Sequence, residues 1–409
     1  MNNKIKRGLK ATTAFVAALT VSFGTSNVKA IPRFSLLTGT RCSVCHFNPQ
    51  GSGVRTELGW EMMNKVGLSQ WSNPADDTSG KLPSNLMFDG HAVPGGDARF
   101  QLVRLSTTGQ ELLIPMQLSG SLGLIANQQL TASTNINLAS IYVRAKLGTA
   151  AVGTTAGLYS GETDYDAMIQ YQPDITLPSI RVGMIQPSIG VRQDDHTEFV
   201  REESAINGTP LFAPYYNDVG AELTYEGIRW LTINAGVFNA KNLALADPSI
   251  GTVTGTFDFS HPTMSARVML WPQDLEKGLN GELGASILKN GSFEMFNVFA
   301  GIGLADKSTI YIEGLYGKNA DDRIIRNFSV LGSMELLQYL AIEWRYDYGQ
   351  TELAPGQALS FAHGFLFGLE FFPWPYIEIR PEYRLLQTNP FYGQGTYQGQ
   401  WTGQIHVFY

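Results

Sequence analysis

Polar and apolar residues alternate along most of this chain. From about Arg99 to the C-terminus, strand-like runs of roughly eight to twelve residues recur between turn residues. Ser140 to Leu147 sets Ile141, Val143, Ala145 and Leu147 against Tyr142, Arg144 and Lys146. Ser179 to Gln186 puts Ile180, Val182 and Met184 opposite Arg181 and Ile185. Thr309 to Gly317 sets Ile310, Ile312, Gly314 and Tyr316 against Tyr311, Glu313 and Leu315. Ile342 to Tyr348 is the cleanest case, with Ile342, Trp344, Tyr346 and Tyr348 on one face and Glu343, Arg345 and Asp347 on the other. Successive strand residues point to opposite faces, so such a run has one side for lipid and one for a polar interior. No long helical pattern separates the runs, which excludes βαβ units.

Three further features point to a membrane barrel rather than a soluble β protein. Aromatics gather near turns, at Trp230, at Trp271-Pro272, and at Phe371-Phe372-Pro373-Trp374-Pro375-Tyr376, as two interfacial girdles require. Tight connections (Glu226-Gly227, Lys289-Asn290-Gly291) occur beside long polar ones (Gly190 to Asn217, Lys241 to His261, Ala320 to Arg323, Gln350 to Ser360), which predicts short turns at one rim and long loops at the other. The chain ends on an alternating, aromatic-terminated run, Gln404-Ile405-His406-Val407-Phe408-Tyr409. The expected fold is all-β: a transmembrane antiparallel β-barrel of about 16 strands, within a range of about 14 to 18, preceded by a small N-terminal c-type haem segment.

The chain before the barrel divides into three parts. Residues 1–30 read as a secretory signal peptide, with Lys4, Lys6, Arg7 and Lys10 ahead of an apolar Ala11 to Phe23 and a Val28-Lys29-Ala30 cleavage site. Residues 31–68 form the haem-carrying segment, 69–97 a linker and 98–409 the barrel. In the linker Pro74, Pro83, Pro94 and Gly95-Gly96 are expected to interrupt regular structure. A segment shorter than about forty residues cannot bury a core alone. It must pack on a haem or on the barrel, and it is expected to plug the lumen.

The chemistry concentrates in Arg41-Cys42-Ser43-Val44-Cys45-His46. Two cysteines two residues apart, followed by histidine, form the c-type haem attachment signature. The two thiols can take the two vinyl groups of one haem, and His46 can supply an axial nitrogen to iron. Cys42 and Cys45 are the only cysteines in the chain. A surface disulfide and half of a zinc site are the competing readings; the second needs further ligands nearby that are not evident. Export agrees with covalent haem, because c-type haem is attached outside the bacterial inner membrane.

Composition narrows the partners. The 409 residues carry a formal net charge of −7, with 16% charged and 11% aromatic residues and 43 glycines. The acidic balance and the absence of a basic run interleaved with aromatics exclude nucleic acid. No mature apolar run reaches the length of a membrane helix. No Ser-His-Asp arrangement, phosphate loop or HExxH motif supports hydrolytic chemistry.

Pro32, Phe34, Thr38-Gly39, Cys42, Cys45-His46 and Leu58-Gly59, followed by a barrel of this length, give a chain that resembles the fused monohaem cytochrome–porins of bacterial outer membranes. That group includes outer-membrane iron oxidases. The resemblance implies one covalent haem c at or in the pore and electron transfer between the cell exterior and periplasmic carriers. It also implies oxidation of extracellular iron(II). The alternative is a passive solute porin whose haem domain is a periplasmic redox partner or gate. The sixth iron ligand stays open between Met62 or Met63, His196 in the longest loop if that loop folds inward, His91, and an open or water-bound position. Asp194, Asp195, Glu198, Glu202 and Glu203 supply oxygen ligands suited to hard cations, or simply solubility.

Overall fold

The computed structural model describes residues 35–36, 39–45, 92–107, 110–131, 134–150, 165–174, 176–191, 202–204, 209–210, 217–246, 261–274, 279–304, 307–318, 322–337, 339–353, 359–374, 377–389 and 395–408. The signal-peptide reading of residues 1–30 lies outside them.

The strands run in chain order. The first five are β1 (Ala92–Thr107), β2 (Gln110–Thr131), β3 (Thr134–Ala150), β4 (Tyr165–Tyr171) and β5 (Ser179–Ile185). Then come β6 (Glu202–Ser204), β7 (Thr209–Pro210), β8 (Asp218–Tyr225), β9 (Leu231–Phe238), β10 (Thr263–Leu270), β11 (Gln273–Asp274) and β12 (Leu279–Asn290). The last seven are β13 (Phe293–Leu304), β14 (Ser308–Lys318), β15 (Ile324–Leu337), β16 (Leu340–Glu352), β17 (Leu359–Trp374), β18 (Ile377–Asn389) and β19 (Thr396–Phe408).

These strands form one 17-stranded antiparallel sheet and a separate β6–β7 pair. Within the large sheet β11 is a two-residue pairing beside β12. The other sixteen make a ring, because β1 pairs with β2 on one side and with β19 on the other. The aromatic-terminated last run is therefore a paired strand of a closed barrel, not a free edge, and the sheet has no open edge to protect.

Register decides which rim is which. Phe408 of β19 pairs with Asp97 of β1, so the start of the barrel and its last strand share a rim. That rim also holds the connections 226–230, 305–307, 338–339 and 375–376, while the opposite rim holds 151–164, 186–217 and 239–262. Bacterial outer-membrane barrels keep short turns at the periplasm and longer loops outside, which orients the molecule. The sorting of tight turns expected from sequence is corrected at one hairpin. The 291–292 turn after β12 lies on the extracellular rim, opposite 226–230. Gly291, at φ 55°, occupies the first central position of that two-residue turn, where type II′ geometry favours glycine.

Alternation sorts side chains as expected along most strands. In β14, Ile310, Ile312 and Tyr316 are exposed, while Tyr311, Glu313 and Leu315 are buried inside. In β16, Glu343, Arg345 and Asp347 point inward and Ile342, Trp344, Tyr346 and Tyr348 outward. The exposed face continues through Ile180, Val182, Leu223, Ile233, Val268, Ile287, Phe296, Val298, Phe365, Phe367 and Trp401. A continuous outward apolar belt on a closed barrel is stable only in lipid, so the chain is an outer-membrane β-barrel. Near the extracellular rim the Tyr346 hydroxyl lies 2.7 Å from His363 Nδ1, and Phe361 and Tyr348 stack against the same imidazole, which makes part of an aromatic girdle.

Three local expectations are corrected. Met184 is buried rather than outward with Ile180 and Val182, because alternation breaks at Gly183, whose φ is 144°. Trp271 is 4% exposed and turns inward, donating Nε1–H to Thr232 Oγ1 at 3.1 Å, while Trp230 keeps the girdle position at 57% exposure. Pro94-Gly95-Gly96 do not interrupt structure; they lie within β1, paired with Leu124, Gly123 and Leu122 of β2. There β1 has no β19 partner yet, and the missing proline N–H is tolerated.

Candidate functional site

Two apolar clusters lie inside the barrel along β10 to β15. The first joins Leu36 and Val191 to the inward-facing Met269, Phe299 and Tyr311 and to Trp271. The second joins Ile189 and Leu243 to Leu288, Phe293, Met295, Leu315 and Ile325. Leu36 comes from the segment ahead of the barrel. Ile189 and Val191 come from the long β5–β8 connection, and Leu243 from a short helix, α1 (Lys241–Ala246), in the β9–β10 connection. Fully burying one such side chain stabilises by about 1.5–3 kcal/mol. These segments therefore pack into the lumen instead of extending into solvent.

Polar contacts fix the incoming chain. The Gly190 N–H donates to Ser286 Oγ at 2.8 Å, and Arg267 Nε donates to the Gly190 carbonyl at 3.1 Å. The Ser188 N–H and hydroxyl both donate to Glu222, which also pairs with Arg181 across β5 and β8. Farther along the same connection, β6 lies beside β16 and β17. The connection turns inward at Gln186 to Val191, the start of the stretch on whose inward fold the His196 reading depends. His196 itself, with Asp194, Asp195 and Glu198, lies outside the described residues, and Glu202 and Glu203 are described only as backbone of β6.

The motif residues sit at the periplasmic mouth. Cys42–Cys45 is a single helical turn. Cys42 is half-buried. It lies within electrostatic reach of Arg267 and Tyr311. Cys45 is described as backbone of the same turn. His46, Met62, Met63 and His91 lie outside the described residues.

The residues around Cys42 clasp the barrel. Arg41 Nη1 donates to the Glu226 carbonyl at 2.8 Å and Nη2 to the Ile228 carbonyl at 2.5 Å. The Ser43 hydroxyl donates to the Glu226 carboxylate, 3.0 Å from Oε1 and 2.8 Å from Oε2. Upstream, Ser35 Oγ lies 3.3 Å from the Tyr311 hydroxyl. Leu36 fits against β13 only because residues 301 and 303 are glycines: a Cβ at Gly301 would come within 2.8 Å of Leu36 Cδ1, and one at Gly303 would overlap the Leu36 backbone.

The fold now has known counterparts. Pseudomonas putida OprB is similar at a TM-score of 0.57, with 10% identity over 83% of this chain and 99% of that one. The outer-membrane channel DcaP of Acinetobacter baumannii is similar at 0.52, with 12% identity over 78% of this chain and 97% of that one. A loop-deleted OmpT of Vibrio cholerae, an outer-membrane protein, is similar at 0.50, with 11% identity over 78% and 99%. No protein-family model and no curated protein sequence matches the chain. At such low identity the likeness is one of fold: this chain is a porin-like outer-membrane barrel.

Sequence reasoning missed the clasp and the depth of Leu36. One signal was available. Gly301 and Gly303 fall on the inward phase of a strand, where consecutive inward glycines mark a close backbone approach. Nothing in the spacing of Arg41 or Ser43 pointed to Glu226, 185 and 183 residues away.

Proposed function

We propose that this barrel carries one covalent haem c on Cys42 and Cys45, with His46 as an axial ligand, and works in electron transfer across the outer membrane. Periplasmic carriers are the partners on the inner side, and extracellular iron(II) is the candidate donor on the outer side. The observation that carries this reading is the seating of the Cys-x-x-Cys turn at the periplasmic mouth, tied by Arg41 and Ser43 to the β8–β9 turn. The donor set fits the group: Cys42, a second cysteine on the same helical turn and a histidine next in sequence. Bound there, a haem supplies one-electron chemistry between iron(II) and iron(III). The chain supplies the rest: Leu36 and Val191 anchor the tether in the apolar lining, and the barrel separates it from lipid.

A second reading has its own support. The neighbours in fold include a protein described as an outer-membrane channel, and this chain shares that barrel fold. In that reading the barrel passes small solutes and the N-terminal segment narrows or gates it.

One preparation separates the two. Purified full-length protein is assayed for covalent haem by spectrum and by haem stain on a denaturing gel. It is then placed in liposomes with an electron acceptor inside and a reductant outside, and in planar bilayers for conductance. Electron transfer with a small conductance is the expected result. A haem-free product with a large open-channel current refutes the electron-transfer reading and leaves the solute pore.

A further inference from the structure

Resting on the haem reading, we propose that the β8–β9 turn, and Glu226 in particular, is the positioning seat for the cysteine-bearing turn. The turn 226–230 joins two strands at the periplasmic rim, a connection that needs no carboxylate for its own sake. Yet Glu226 turns its carboxylate to Ser43, the residue just after Cys42, and lends its carbonyl to Arg41, the residue just before it. Thr232 Oγ1 of β9 steadies the same carboxylate at 3.4 Å from Oε1. The two residues flanking Cys42 are thus held from the same turn, which fixes both the position and the rotation of the helical turn between them.

The contacts are chemically matched. The Arg41 guanidinium reaches two backbone carbonyls, Glu226 and Ile228, from two nitrogens of one rigid planar fork, whereas an ammonium would have to reach both from a single nitrogen. The Arg41 and Glu226 side chains are 13% and 22% exposed, so water competes with the clasp only in part. Charge-assisted hydrogen bonds of this kind are about twice as strong as neutral ones. Leu36 and Ser35 hold the same segment farther in, on β13 and β14. The seat therefore sets orientation at the mouth, whereas the apolar anchor sets depth.

The role is one of positioning: Glu226 acts through Ser43 and Arg41 on the cysteines. Glu226→Ala, Glu226→Gln and Arg41→Lys are made in the full-length chain, and folding is checked by heat-modifiable migration on a gel. In haem-loaded protein, Glu226→Ala and Arg41→Lys are expected to shift the midpoint potential and to speed binding of added cyanide about tenfold, the loss of one well-placed charged hydrogen bond. Glu226→Gln keeps an acceptor for Ser43 and is expected to restore most of the wild-type behaviour. In protein refolded without haem, alkylation of the cysteine thiols by a bulky maleimide is expected to quicken in Glu226→Ala and to stay slow in Glu226→Gln.

The outcomes separate cleanly. Unchanged potential and cyanide binding in loaded Glu226→Ala, with unchanged alkylation in the haem-free chain, overturn the seat and leave the haem reading standing. A wild-type chain that never takes up haem, but whose thiols are still unmasked by Glu226→Ala, upholds the seat and overturns the electron-transfer reading.

Discussion

The two walls of the lumen obey the same outward rule, and only one of them adds large apolar patches to its inward polar residues. Along β10 to β15 and along β16 to β19, the lipid-facing positions are apolar alike: Val268, Ile287, Phe296 and Ile312 on one wall, Phe365, Phe367, Leu385 and Trp401 on the other. Inward, the first wall offers Met269, Leu288, Phe293, Phe299 and Tyr311, and chain from outside the sheet covers them. The second offers charges that satisfy one another. Arg345 Nε meets Asp347 at 2.6 Å, Arg380 meets Glu343 at 2.9 Å and Glu382 at 2.7 Å, and Arg384 also reaches Glu382. The difference teaches where a porin-like fold puts its extra chain. Leu36, Ile189, Val191 and Leu243 lie on the wall that carries inward apolar patches, whereas β6 lies beside β16 and β17.

The sharpest test removes the cover. Deleting residues 31–68 strips Leu36 from the first wall. Single-channel conductance in planar bilayers is expected to rise severalfold over the full-length protein. An unchanged current means that 186–191 and α1 close the lumen without help. Restoring the segment with Leu36→Asp is expected to give an intermediate conductance, because Leu36 is fully buried and a carboxylate there finds apolar neighbours.

A smaller effect contrasts the two faces of one strand. Phe293 and Phe296 both belong to β13, but Phe293 is 0% exposed under Ile189 and Leu243, and Phe296 is 45% exposed to lipid. Phe293→Ala is expected to lower stability by about 3–5 kcal/mol, as removal of a buried aromatic does. Phe296→Ala leaves a gap that lipid fills, and its effect is expected to be under half as large. Urea unfolding in detergent micelles, followed by tryptophan fluorescence, reads both.

The contrast also explains what could be read from the residues beforehand. The two faces of β14 and β16 follow from period-two alternation, a local property, and the barrel from that alternation together with the girdle aromatics, the loop lengths and the terminal run. The inward apolar set was visible too, as Tyr311 and Leu315 opposite Ile310 and Ile312, but its partner was not. Which segment covers a wall depends on contacts between residues far apart in sequence, and Leu36 pairs with strands more than two hundred residues downstream. Trp271 shows the same limit: an aromatic beside a turn suits a girdle or a core equally well until Thr232 and Leu36 are in place. The hairpin at Gly291 was legible as a tight turn, but its rim is set by the parity of every strand before it. In the site, the cysteine pair was legible from spacing alone, whereas Glu226 entered only through the fold.

The charged wall gives the smallest of these effects and the most specific one. Arg380 lies between Glu343 and Glu382, with the three side chains 13%, 10% and 3% exposed. Arg380→Ala leaves two inward carboxylates facing each other without their shared cation. Breaking a fully buried pair costs about 3–5 kcal/mol, and partial solvation of this one brings the expected loss to about 2 kcal/mol. Replacing Glu343 together with the arginine, as Glu343→Gln and Arg380→Met, is expected to recover most of that loss, because Glu382 keeps Arg384 and no unpaired charge remains. The double change leaves Arg345, Asp347, Glu382 and Arg384 in place, so this wall stays polar. Here the conductance of the deletion variant is expected to stay high, and a fall would show that the choice of wall lies in something other than inward polarity.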